Sequence, residues 1–80
     1  LVLHLGNGYF ADTNNIIGIF DLEKTTTVPT TRDFLKSETD NGNIIDVSED
    51  LPKSFVVALE GTYLCDVAVS TLRGRLKEKL

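Results

Sequence analysis

The sequence predicts an α+β fold: one small domain over residues 1–80, mainly antiparallel strands with two short helices. Three observations predict it. Short runs of Val, Ile, Leu, Phe and Tyr recur between Gly, Asn and Asp clusters, the pattern of strands joined by turns. Two stretches carry capping residues and helical spacing instead. Eighty residues with 41% hydrophobic and 25% charged content make one folded unit rather than a disordered tail.

In chain order, residues 2–5 form a strand, and Gly6-Asn7-Gly8 supplies the positive φ angles of a tight turn. Residues 9–11 return as a second strand. Asp12-Thr13-Asn14 turns the chain into a third, residues 16–20. Residues 22–29 are a polar connection. A helix follows over residues 30–40, with Thr30 and Asp33 at capping-box spacing, Pro29 just before it and Asn41-Gly42 as its stop. Its apolar face is only Phe34 and Leu35, so it lies on the surface of a sheet. Residues 44–47 are a short strand and Ser48 to Pro52 an acidic loop. Residues 55–59 and 62–65 make a hairpin across Glu60-Gly61. Ser70 caps a last helix in which Leu72, Leu76 and Leu80 line one stripe. Gly74 within it costs about 1 kcal/mol relative to alanine.

Two strands, Ile16-Ile17-Gly18-Ile19-Phe20 and Phe55-Val56-Val57-Ala58-Leu59, are apolar on both faces. A strand with one wet face alternates, whereas a strand covered on both sides need not. The cover is either the two helices or a neighbouring subunit. A domain of this size holds itself together by roughly 3–5 kcal/mol before any staple is added. Cys65 is the sole cysteine and His4 the sole histidine, so neither an internal disulfide nor a Cys/His zinc site is available. Association is the staple that remains, and homo-oligomerisation is the expectation.

The single thiol suits a reducing compartment, and the start carries no basic leader, so the chain reads as cytoplasmic. The longest apolar run is too short to cross a bilayer, so no membrane is expected. Net charge is −4, unevenly spread. Residues 1–66 hold four cations against eleven carboxylates, while residues 67–80 hold Arg73, Arg75, Lys77 and Lys79 against Glu78 alone. Such asymmetry marks either an interaction surface or a solvated helix end.

No catalytic constellation emerges, and the chain is read as a non-enzyme without cofactor or metal. His4 has no partner of catalytic type nearby in sequence, and Cys65 ends an apolar strand as a small buried hydrophobe. Asp46, Glu49 and Asp50 lack regular metal-ligand spacing. The last helix is the best binding candidate, because cationic side chains flanking an apolar stripe reach phosphates or acidic partners. The same cations also suit a helix C-terminus with no ligand at all.

Several segments carry a resemblance over nearly the whole chain, in order. They are His4-Leu5-Gly6, Ile16-Ile17-Gly18-Ile19-Phe20-Asp21, Thr31-Arg32-Asp33-Phe34-Leu35, Leu51-Pro52-Lys53-Ser54-Phe55-Val56, and Ser70-Thr71-Leu72 with Arg75. Together they resemble the extracellular matrix regulatory proteins of the RemA/RemB type, and Leu51-Pro52-Lys53-Ser54 is closer to the RemB branch. The resemblance implies a small bacterial cytoplasmic protein. In the RemA branch such proteins form closed rings of identical subunits, bind DNA upstream of biofilm-matrix operons and activate transcription.

The sequence departs from that pattern where it matters most. The RemA-type arginines at the start of the third strand and before the hairpin fall here at Asn15, Leu51 and Pro52, with only Lys53 adjacent, beside Glu49 and Asp50. The remaining DNA-binding candidates are Asn15, Lys53, Arg73, Arg75, Lys77 and Lys79. Two readings stand. One is a ring-forming DNA-binding transcriptional regulator with weakened DNA contacts. The other is a homo-oligomeric protein-interaction module that binds no DNA.

Overall fold

A computed structural model describes residues 1–25 and 27–78. Its elements run β1 (Val2–Gly6), β2 (Tyr9–Asp12), a 3-10 turn (Thr13–Asn15), β3 (Ile16–Asp21), α1 (Leu22–Thr25), α2 (Pro29–Asp40), β4 (Ile44–Asp46), β5 (Ser54–Ala58), β6 (Gly61–Cys65) and α3 (Val69–Glu78). Strands and helices mix without a βαβ rhythm, and the α+β class stands.

The strands form two sheets. β1 and β2 make an antiparallel hairpin; the other four are ordered β3-β5-β6-β4, antiparallel except for the parallel pair β4 and β6. The hairpin turn is built as its residues dictate: Gly6, Asn7 and Gly8 have φ of 98°, 56° and 82°. Gly6 is required twice over, because a Cβ there would sit 2.8 Å from the Val67 side chain.

The core lies between the β1–β2 hairpin with α3 and one face of the four-stranded sheet. Leu3, Leu5 and Ala11 from the hairpin meet Val56, Ala58, Tyr63 and Cys65 from β5 and β6. Leu72 of α3 is fully buried among them, and Leu76 packs at the margin, as the predicted stripe requires. Leu80 lies outside the described residues. α2 crosses the opposite face. There Phe34 stands over Phe55 and Val57, and the Glu38 carboxylate accepts the hydroxyl hydrogen of buried Thr62 at 2.7 Å.

Three local expectations are corrected. Thr30 does not cap α2: the helix begins at Pro29, whose fixed φ suits the first helical position, and Val28 precedes it with no side-chain cap. Ser70 is the second residue of α3, not its cap; the Ala68 carbonyl accepts the Thr71 and Leu72 N–H groups instead. The polar connection contains the one-turn helix α1, started by the Asp21 carboxylate accepting the Lys24 N–H at 2.9 Å.

Candidate functional site

Asn15 and Lys53, two of the candidate residues, stand at opposite ends of one strand ladder. Asn15 closes the 3-10 turn before β3, and its carbonyl accepts the Leu59 N–H at 2.9 Å. Its side chain helps hold the charge on Glu60. Lys53 stands at the other end of the β3–β5 ladder, where its carbonyl accepts the Leu22 N–H. Six residue steps, from Lys53 to the Leu59 that Asn15 bonds, separate the two, about 20 Å at ~3.3 Å per strand residue.

Lys53 lies beside a shallow depression lined by Asp21, Glu23, Asp50, Leu51 and Pro52. Three carboxylates around one ammonium lower the local potential that a phosphate would meet. Leu51 is 79% exposed, so a cation there would reach solvent, but none is present.

The acidic stretch is ordered by its own carboxylates. Asp46 accepts the Ser48 N–H, and Asp66 accepts the Glu49 N–H at 3.1 Å and the Asn7 side-chain amide at 3.3 Å. Asn7 also donates to the Val47 carbonyl at 2.8 Å, tying the hairpin turn to the loop. These bonds, the Glu49 N–H first, hold the Asp66 carboxyl below its ordinary value.

On α3 the cations divide. Arg75 donates to the His4 carbonyl at 3.0 Å and so clamps the helix to β1. Arg73 points along the other flank, over Ile16, Ile19 and Asp21 of β3. Lys77 is exposed. Lys79 lies outside the described residues. His4 itself stacks on Phe10, ring centroids 4.6 Å apart, on the outward face of the hairpin.

Cys65 is fully buried, and burial pushes its thiol up to about 11. At neutral pH it is therefore a packed thiol rather than a nucleophile. The Tyr63 hydroxyl donates to Glu60 at 2.6 Å, and that bond, with burial, pushes the phenol up to about 12.

The strongest surface feature is apolar, not charged. β3 is an edge strand, and Ile17 and Phe20 on it are 68% and 40% exposed. With Phe34 of α2 and Phe55 and Val57 of β5 they line an open groove on the outer face. Sequence reading found the strand by its doubly apolar pattern but could not say which edge of the sheet it occupies.

No family model matches the chain. The chain is similar to Extracellular matrix regulatory protein B of Bacillus subtilis (strain 168), at 32% identity over 75 residues, 94% of this chain and 89% of that protein. Identity at that level over nearly the full length of both shows common descent, and the chain belongs to the extracellular matrix regulatory protein family, RemB type.

Proposed function

We propose that this chain is a cytoplasmic, ring-forming regulator of the extracellular-matrix type, which activates transcription by binding duplex DNA weakly through surfaces shared between subunits. The observation that carries this reading is the unpaired, apolar β3 edge, a surface that is costly to leave wet and suited to a neighbour. The separation of Asn15 from Lys53 along the β3–β5 ladder supports the second half of the reading. One subunit offers too few cations in one place to grip a duplex, whereas linked copies act at high effective concentration.

The chain acts by binding rather than by chemistry, since its sole thiol is buried and its sole histidine is spent on a stacking contact. The ring of Asp21, Glu23 and Asp50 about Lys53 favours the second reading, a homo-oligomeric module that takes a protein partner and no DNA.

Fluorescence anisotropy on a labelled duplex at several salt concentrations separates the readings, run beside light scattering. Weak binding whose log–log salt slope is about −0.9 per neutralised phosphate supports DNA. Absence of binding at low salt by a protein of oligomeric mass supports the module. A clean monomer of 8.8 kDa removes the assembly on which both rest.

A further inference from the structure

Two of the asparagines are followed by glycine, Asn7 by Gly8 and Asn41 by Gly42. Asparagine is thermally labile, because the backbone nitrogen of the next residue can attack its side-chain amide. Glycine in that place leaves the nitrogen unshielded. Neither Gly8 nor Gly42 has a neighbouring atom within 4 Å of where a Cβ would stand. The sequence makes the two sites alike, and the fold makes them unequal.

Asn7 is held. Its amide nitrogen donates to the Val47 carbonyl at 2.8 Å and to both Asp66 carboxylate oxygens at 3.3 Å. Those bonds join segments distant in the chain, so they last while the domain stays folded. Attack at Asn7 would also build negative charge beside Asp66, which Coulomb repulsion opposes. Asn41 is exposed and follows the last residue of α2. Its amide makes one long contact among the described residues, 3.4 Å to the Ser37 hydroxyl. The Gly42 N–H donates to the Thr39 carbonyl at 3.1 Å, in the last turn, where a helix frays first.

We infer that Asn41 is a site of spontaneous deamidation whose product loosens the end of α2 from the four-stranded sheet. When the last turn opens, the Gly42 nitrogen gives up its proton to solvent and bonds to the Asn41 Cγ. The Cγ–Nδ2 bond breaks and ammonia leaves, closing a succinimide ring. Water then opens the ring at either carbonyl. One opening gives aspartate. The other gives isoaspartate, whose main chain runs through the former side chain and is longer by one carbon. Water is the sole co-reactant.

Either product acts on a chain of bonds that leads into the sheet. The Asn43 N–H donates to the Glu38 carbonyl at 2.8 Å, and the Asn43 carbonyl accepts the Thr62 N–H at 2.9 Å. The Asn43 side-chain amide and the Thr62 hydroxyl both donate to the Glu38 carboxylate. Aspartate sets a second carboxylate next to Asp40, at the negative end of a helix whose last turn holds no basic residue. Isoaspartate shifts Gly42 and Asn43 away from Thr39 and Glu38. α2 also carries Phe34, one wall of the outer apolar groove, so the change reaches that surface.

The test is to age the native wild-type protein at mildly alkaline pH and map the peptides by mass spectrometry, with aspartate and isoaspartate resolved by chromatography. Asn41 should convert about tenfold or more faster than Asn7 in the native protein. In urea, where the bonds to Val47 and Asp66 are lost, the two rates should come within about threefold of each other. In the aged protein the Asn43 and Thr62 amides should exchange hydrogen about tenfold faster than in fresh protein, and Asn41→Asp should reproduce part of that rise. Asn41→Gln should age without it. Native Asn7 converting as fast as Asn41 overturns the inference, as does a native Asn41 no faster than Asn14 or Asn43, which lack a following glycine. A gap of about tenfold that persists in urea overturns it too, because local sequence rather than the fold would then set the rates. Unchanged exchange at Asn43 and Thr62 in the aged protein overturns the loosening.

Discussion

At the scale of residues, the hydrogen-bonded carboxylates explain more than the unpaired charges. Glu38 is held below the ordinary carboxylate value by the Asn43 amide and the Thr62 hydroxyl, Glu60 chiefly by Tyr63, and Asp66 by Glu49 and Asn7. A group whose folded value is depressed stabilises the fold above its unfolded value and loses that contribution as pH falls through the folded one. The unfolded values are 4.5 for glutamate and 3.8 for aspartate. Urea midpoints should therefore stay level from about pH 7 to 5 and fall below about 4.5, and Glu38→Gln should flatten part of that acid limb. Cys65 makes the second prediction at this scale. Its thiol should react with a labelling reagent only on unfolding, and Cys65→Ser should cost about 1 kcal/mol for a hydroxyl in an apolar site. Fast labelling of the native protein would place Cys65 on the surface instead. Its burial was legible from position alone, the end of an apolar strand. The Arg75 bond to the His4 carbonyl was not, because it joins residues 71 positions apart.

At the scale of elements, strands and turns were legible where the chemistry is local. Gly6-Asn7-Gly8 can hardly be anything but a turn, and the hairpin of β5 and β6 follows from two apolar runs, although its turn falls at Leu59 and Glu60, one residue before the expected Glu60-Gly61. The parallel pairing of β4 with β6 was not legible, because it is fixed by long-range packing rather than by any local signal. The start of α2 was misplaced for a physical reason: Pro29 sets the first turn itself, leaving Thr30 inside it. The cap position belongs to Val28, which contributes no side-chain bond. Val28→Asp should therefore stabilise the domain by about 0.5–2 kcal/mol, while Thr30→Ala should leave the thermal midpoint nearly unchanged. A large loss from Thr30→Ala would restore the capping box. Leu72→Ala should cost about 2–5 kcal/mol, since the fully buried side chain joins α3 to both sheets. In a domain held by roughly 3–5 kcal/mol, that change leaves little folded protein at low concentration.

At the scale of the whole molecule, stability and assembly are one question. If subunits bury β3 against each other, the melting temperature should rise with protein concentration, as mass action requires. A midpoint that ignores a hundredfold dilution would mean that the monomer stands alone. The candidate site was legible only in part at this scale. The sequence named the candidates, but the fold sets Asn15 and Lys53 at opposite ends of the β3–β5 ladder, and no spacing along the chain reports that. The clamp between Arg75 and His4 also bears on time. β1 is made before α3, which covers it, so Leu3 and Leu5 stay without their roof until the chain has been made through Leu72. Closing that part of the core waits on distant contacts, which slows folding and prolongs the exposure of unpaired strands. During that interval the newborn chain depends on whatever else in its surroundings can shield an unfinished surface.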